Sequence, residues 1–141
     1  MTLSVFNRQR KIAIDRAALE EFGRRVLPLC ASEKGRGLTN LPRIEIILIS
    51  DRRMSALHRR FMGIAGPTDV ITFQHGEIFI STETARRQAR EQGTTLRHEL
   101  HLYIVHGLLH LHGFDDLAPA DRRRMHAAQE KVVRLATSGR K

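Results

Sequence analysis

The sequence predicts an α+β fold, in which a small mixed sheet of about four strands is surrounded by helices. Four short runs have the composition of strands, and five longer stretches have helical periodicity. One of these stretches, residues 96–111, has apolar side chains on every side of its helical wheel, the pattern of a helix that is buried all round. We therefore predict a buried central helix. Polar residues are costly to bury in such a helix, so those present are expected to serve a chemical function.

The length and composition predict one domain over residues 1–141. A chain of 141 residues with 41% hydrophobic content is long enough to form one hydrophobic core but too short for two stable domains. No apolar run approaches the ~20 residues that cross a membrane, and the N-terminus lacks a signal-peptide pattern. These features predict a cytoplasmic protein with no membrane partner. Cys30 is the only cysteine, so we predict a structural thiol and no internal disulfide.

The N-terminal part of the chain is predicted to form a strand and a helix. Residues 3–7 have the composition of a short strand. Asp15 can cap a helix that ends near Ser32, because its carboxylate can accept hydrogen bonds from the first free amides. Its apolar residues share one face: Leu19, Phe22, Val26 and Leu27.

A buried strand and an arginine-rich helix are predicted next. Residues 43–50 become continuously apolar, which is typical of a strand inside a sheet. Ser50 or Asp51 can cap a helix that runs to about Met62. The helical period predicts that Met54, Leu57 and Phe61 face inward. The opposite, outer face then carries four arginines: Arg52, Arg53, Arg59 and Arg60.

Two strand-like runs, residues 69–73 and 77–80, predict a hairpin. The residues between them are few enough for a tight turn, with Gly76 at a positive φ and His75 as a turn residue.

Three helices are predicted in the remaining part of the chain. Ser81 can cap a polar helix that Gly93 ends, and Thr94 or Thr95 then opens the apolar helix. Pro119 suits the first turn of a final helix, which precedes a tail over residues 138–141. Four apolar residues of the final helix are predicted to face the core: Met125, Val132, Val133 and Leu135.

The apolar helix carries two histidines at a metal-ligand spacing. His106 and His110 are four residues apart, so a helix places both imidazoles on one face, one turn from each other. Gly113 can end the helix and turn the chain so that Asp116 points back at its last turn. This pattern supplies three ligands and leaves a fourth position open, as in catalytic zinc sites. We predict that His106, His110 and Asp116 hold one Zn²⁺ per chain.

Other interpretations of this motif remain open. A histidine pair also occurs in cores without a metal, although the glycine and carboxylate that follow favour a metal site. His112 lies about 200° round the helix from His110, so we predict a packing or surface residue. A zincin protease carries a glutamate base directly after its first histidine, where this chain has Gly107. A base could still come from elsewhere, such as Asp115.

The net charge of +9 suits a phosphate-rich partner. Most of the excess is arginine, whose planar fork can grip two phosphate oxygens, and RNA fits this charge well. A solvated basic surface that reflects codon bias explains the same composition, and charge alone does not separate the two interpretations.

Residues 106–116 resemble the signature H-G-x-L-H-L-x-G-[YF]-D-H of the YbeY family of bacterial rRNA maturation factors. Ten of eleven positions agree, and the exception is Asp116, where the family has its third histidine ligand. Residues 67–73 are similar to the family's P-T-[DN]-V-L-S-F run, and residues 76–80 to its G-D-I-x-I strand. The resemblance extends over about residues 40–135.

This resemblance implies one YbeY-like, metal-dependent hydrolase domain. The implied function is a zinc-dependent endoribonuclease that cleaves single-stranded RNA in rRNA maturation and ribosome quality control, with rRNA and the ribosome as partners. The family usually places an arginine implicated in catalysis where this chain has Met62. We predict that Arg59, about one helical turn away, and Arg60 contact the substrate instead, and an ordinary solvated arginine face is the alternative interpretation of these two residues. We assign no catalytic residue and no protein partner from the sequence.

Two other functions stay open. A metal-containing ribosome- or RNA-binding factor with weakened catalysis is favoured by the departures at Met62 and Asp116. A zincin-like metalloprotease is disfavoured by Gly107.

Overall fold

The computed structural model describes residues 2–138, which form four strands and five α-helices in the predicted order. In chain order the elements are β1 (Thr2–Asn7), α1 (Arg16–Ala31), a 3₁₀ helix (Leu38–Asn40), β2 (Arg43–Ile49), α2 (Asp51–Met62), β3 (Val70–Phe73), β4 (Glu77–Ser81), α3 (Thr82–Gln92), α4 (Leu96–Leu111) and α5 (Pro119–Ser138). None of these helices is long and apolar enough to cross a membrane.

The strands form one mixed sheet in the order β1-β2-β4-β3. β1 and β4 both run parallel to β2, and β3 pairs antiparallel with β4 through the predicted hairpin. Gly76 has φ +120°, and a Cβ there would lie 2.4 Å from the carbonyl oxygen of Arg43, so the turn requires glycine. The predicted mixed sheet is confirmed, and β3 is left as an edge strand.

The two faces of the sheet are covered differently. One face is covered by α1, α4 and α5 and carries the main core, which includes Ile46, Ile78 and Leu108. The other face carries a smaller cluster around Ile49, Met54 and Ile71, to which α2 contributes. The core therefore lies mainly between the sheet and α4, where apolar burial stabilises the fold by roughly 25 cal/mol per Å².

Helix α4 is the buried central helix that the sequence predicts. It packs against α1, α3, α5 and the two strands of the hairpin. Gly107 lies against the sheet, and a Cβ at this position would be 2.7 Å from Cγ2 of Ile78. The missing side chain therefore lets the helix approach β4 closely.

The helix ends use the predicted capping residues. Thr95 caps α4 by accepting from the amide of His98 at 3.1 Å, and Ser50 caps α2 by accepting from the amide of Arg53. The Asp51 carboxylate instead accepts hydrogen bonds from two hydroxyls and a guanidinium, those of Ser81, Thr84 and Arg87. Tertiary contacts therefore occupy Asp51 and leave the capping of α2 to Ser50, whereas Thr95 caps α4 through a local contact.

Two predicted core residues are exposed. Phe61 is 54% exposed because it lies in the last turn of α2, where its ring meets Phe73 edge to face and is left partly open. Leu135 is 44% exposed because the buried face of α5 follows Met125, Ala128, Val132 and Ala136, which places Leu135 beside that face. These two predictions were wrong. The predicted tail begins with Ser138, which is the last residue of α5, and residues 139–141 lie outside the described part of the chain.

Candidate metal site

The structure brings together the three residues predicted as ligands. The Nε2 atoms of His106 and His110 are 3.1 Å apart, and each lies 3.7 Å from Oδ2 of Asp116. The three candidate ligand atoms lie within 4.8 Å of one another, and all three side chains are half-buried. Such a group could hold a single metal ion.

The turn after α4 carries Asp116 back toward the two histidines. Gly113 has φ +100°, a conformation that favours glycine. Its amide donates to the carbonyl of His110, and the amide of Phe114 donates to the carbonyl of Leu109 at 3.0 Å. These bonds reverse the chain within one turn of the helix end, which places the Asp116 carboxylate over the last helical turn.

The hydrogen bonds of the two imidazoles determine which nitrogen faces the site. Nδ1 of His110 donates to the carbonyl oxygen of Phe114 at 3.0 Å, and Nδ1 of His106 donates to Oε1 of Gln129 at 3.1 Å. Since a carbonyl oxygen can only accept, each neutral ring carries its proton on Nδ1 and presents an Nε2 lone pair.

The donor set fits a cation. Two nitrogen lone pairs that face each other at 3.1 Å repel unless a positive charge lies between them. Two imidazole nitrogens and one carboxylate oxygen form a ligand set that zinc accepts, and three protein ligands leave one position open.

Burial prepares His110 to act as a neutral ligand. Desolvation lowers the pKa of His110 from its usual value of 6.5, and the neighbouring His106 lowers it further. The nearby Asp116 carboxylate acts in the opposite direction without reversing the shift. The Nε2 lone pair of His110 is therefore available near neutral pH.

This pKa shift predicts how the stability of the metal-free protein depends on pH. As pH falls below about 6.5, the unfolded chain binds a proton at His110 that the folded chain refuses until a lower pH, so the free energy of unfolding falls. Urea unfolding between about pH 5 and 8 measures this slope. We expect His110→Asn to flatten the slope. Equal slopes in wild type and His110→Asn would contradict the assignment.

A groove of about 300 Å³ opens beside the three residues. Edge strand β3 and the segment before it form one wall, and Met62 from the end of α2 also lines the groove. Arg59 and Arg60 are exposed on α2 but do not line it, so their role stays a prediction. The further lining residues are Thr68, Asp69, Val70, Ile71, Thr72 and Gln74.

Gln129 is a part of the site that the sequence analysis missed. It lies on α5, half-buried, and holds the ring of His106. It follows Met125 by four residues and precedes Val132 by three, so it is a polar residue on the buried face of its helix. That position is the sequence signal that could have identified it.

Two neighbours of the ligands lie elsewhere. His112 is 3% exposed, and its Nε2 donates to the carbonyl of Glu33 at 2.8 Å, which confirms a packing role. The Asp115 carboxylate accepts from the amide of Leu117 at 3.2 Å and lines a separate cavity of about 600 Å³, which contains neither ligand histidine.

Three candidate ligands that converge at the end of a buried helix, beside a groove at the edge of a mixed sheet, form the arrangement of a single-metal hydrolase. The family model described as endoribonuclease YbeY matches residues 4–136. The chain therefore belongs to the YbeY endoribonuclease family, as the resemblance of its motifs predicted.

Individual relatives agree with this assignment. The chain is similar to the endoribonuclease YbeY of an Anaeromyxobacter species, with 40% identity over 101 residues, which are 64% of this chain and 53% of the relative. The chain thus spans about half the length of that relative. The match to the endoribonuclease YbeY of Pelotomaculum thermopropionicum has 30% identity and covers 94% of this chain and 95% of the relative.

A solved structure has a similar fold. The solution structure of TM1509 from Thermotoga maritima superimposes with a TM-score of 0.68 at 25% identity. The match covers 98% of this chain and 91% of that protein, so the likeness extends over the whole α+β arrangement.

Proposed function

We propose that this protein is a zinc-dependent endoribonuclease that cleaves single-stranded RNA, with one zinc ion held by His106, His110 and Asp116. The observation that carries the proposal is the convergence of these three side chains beside an open groove. Membership of a family whose relatives are named endoribonuclease supports RNA as the substrate.

The chain's own residues prepare the site for this chemistry. A bound zinc ion would supply Lewis-acid chemistry, either by acidifying a water molecule or by polarising a phosphate oxygen. Gln129 and the carbonyl of Phe114 hold the two imidazoles with their Nε2 lone pairs toward the groove. The groove follows the open edge of β3, so an extended single strand can lie along it.

We further propose that rRNA and the ribosome are the partners of this protein, in rRNA maturation and ribosome quality control, and that it acts in the cytoplasm. The net charge of +9 supports a phosphate-rich partner, because arginine side chains bind phosphate oxygens in pairs.

A second candidate is an RNA-binding factor that keeps the metal and has weakened catalysis. The observation in its favour is Met62, which lines the groove and has no charge to stabilise a phosphate transition state. The protease alternative has less support, since a glutamate at position 107 would have to displace Ile78 from the core.

The deciding experiment incubates protein of measured metal content with single-stranded RNA, duplex RNA and an unstructured peptide. We expect cleavage of single-stranded RNA, its loss on chelation and its return when zinc is added. Tight binding of RNA by fully metal-loaded protein without cleavage would favour the weakened factor instead. Cleavage of the peptide alone would favour the protease.

Binding of single-stranded RNA is expected to weaken steeply with salt, because association releases counterions from phosphates. Each phosphate contact contributes a slope of about −0.7 in a log-log salt plot, so the Arg59→Ala, Arg60→Ala double variant should reduce the slope by about 1.4. The comparison variant replaces Arg122, Arg123 and Arg124, which are exposed on α5. A flat plot for the wild type would contradict phosphate binding. If the slope changes only in the comparison variant, RNA binds at the surface of Arg122, Arg123 and Arg124 instead.

A further inference from the structure

A cluster of aromatic rings lies at the end of α2 and the tip of the hairpin. The ring of Phe61 is 54% exposed and meets Phe73 edge to face, with centroids 5.1 Å apart. The ring of His75 stacks on Phe73 at 6.0 Å and is itself exposed. We call Phe61, Phe73 and His75 the aromatic platform. Phe79 supports it from beneath, with its ring 5.7 Å from that of Phe73.

The platform adjoins the groove around the edge of the sheet. Phe61 directly precedes Met62, and Phe73 ends the edge strand β3, next to Thr72. Met62 and Thr72 line the groove that contains the candidate metal ligands. Because successive side chains of a strand point to opposite faces, the ring of Phe73 lies on the α2 side of the sheet, where it packs against the smaller apolar cluster. A chain that leaves the groove past Met62 and rounds the edge of β3 therefore meets the platform.

The apolar exposure here is continuous. Phe61, Met62 and Ile64 are 54%, 49% and 51% exposed, so three large apolar side chains lie within four consecutive positions. Isolated exposed apolar residues need no explanation, but a contiguous group beside a groove is the usual sign of a binding surface. The end of α2 is therefore a candidate binding surface for a partner with aromatic or aliphatic groups.

The charge around the platform favours a nucleic acid as that occupant. The guanidinium of Arg60 lies 5.3 Å from the centroid of the Phe61 ring. Arg59 is exposed on the same turn of α2, and the Glu77 carboxylate beside the platform lies 2.6 Å from Nε2 of His75. Aromatic rings flanked by cations bind the bases and phosphates of a single strand together, whereas an apolar protein surface would leave the arginines unpaired.

We propose that the aromatic platform stacks against the unpaired bases of single-stranded RNA as the strand enters or leaves the metal groove. This inference rests on the proposed function and names how its substrate is held. Base pairing hides the base faces inside a duplex, so the platform gives the protein its preference for single strands.

A fluorescence experiment tests the contact directly. The chain contains no tryptophan, so the Phe61→Trp variant carries a single indole at the platform. In the presence of a chelator, which prevents cleavage, we expect a single-stranded RNA oligonucleotide to quench this indole. An abasic oligonucleotide of equal length and charge should quench it far less. The matched control is Leu135→Trp, on α5 at a position that is 44% exposed in the wild type, where we expect no quenching.

A binding measurement supplies the magnitude. Loss of one base–aromatic stack weakens binding by about 5- to 150-fold, so Phe61→Ala should lower the affinity for single-stranded RNA by this factor. Phe61→Tyr should keep most of the affinity, because it keeps the ring. The affinity for the abasic oligonucleotide should be equal in wild type and Phe61→Ala.

The outcomes separate this inference from the proposed function. RNA that binds without quenching the indole of the Phe61→Trp variant overturns the platform, even if RNA is cleaved. Equal losses of affinity for intact and abasic oligonucleotides in Phe61→Ala also overturn it. Quenching of the Phe61→Trp indole by single-stranded RNA supports the platform, and failure of the metal-loaded wild-type protein to cleave that RNA would separately refute the endoribonuclease.

Discussion

Replacement of both His106 and His110 with alanine is expected to remove the bound metal and to reduce RNA cleavage by roughly a thousand-fold or more. One carboxylate cannot offset the cost of dehydrating the ion, so the remaining site should not retain zinc at stoichiometric level. Elemental analysis of the purified variant and initial rates on single-stranded RNA measure the two effects.

The matched control for this variant is His126→Ala. His126 is exposed on α5 and pairs with Glu130, away from the groove residues. We expect this variant to keep one zinc per chain and the wild-type rate, which excludes a general effect of losing a histidine. Both variants should keep the far-ultraviolet spectrum of the folded chain. If the His106→Ala, His110→Ala double variant retained stoichiometric zinc, these two histidines would not be the metal ligands.

Asp116→His is expected to keep the fold and the metal and to shift the pH dependence of RNA cleavage about one unit lower. A carboxylate ligand neutralises one positive charge of the metal centre, whereas a neutral imidazole does not, so the wild-type site should acidify a bound water less. The carboxylate is also a harder ligand, and its replacement should raise the preference for zinc over manganese or magnesium. Rates measured against pH with each metal give both results.

Asp116→Ala tests whether this carboxylate is a ligand at all. We expect zinc affinity to fall at least about 100-fold, because a direct ligand contributes more than the outer contacts that support it. Asp115→Ala is the neighbouring control, since its carboxylate is bound to the amide of Leu117 and lines another cavity. Unchanged zinc affinity and an unchanged pH profile in Asp116→Ala would leave only the two histidines in the site.

The parts of this protein that depend on near neighbours in the chain were predictable from the sequence. The helical period alone places His106 and His110 one turn apart, and it also predicts the all-round burial of α4. Thr95, Gly93 and Pro119 act at helix ends through contacts within a few residues. These features follow from backbone geometry, which is the same in every chain.

The parts that depend on distant packing were decided by the tertiary structure. Gln129 reaches His106 across 23 positions, and the carbonyl of Glu33 meets His112 across 79. The strand order, with β4 inserted between β2 and β3, likewise has no local signal.

The exposure of Phe61 also depends on tertiary packing rather than on the local sequence. Its spacing from Met54 and Leu57 predicted an inward side chain, yet in the last turn of α2 its ring contacts Phe73 and stays 54% exposed. A helical period gives the direction of a side chain, but burial also requires a neighbour in that direction. The local sequence therefore determined the metal-binding motif and its helix, and only the packing of the elements decided which rings lie open beside the groove.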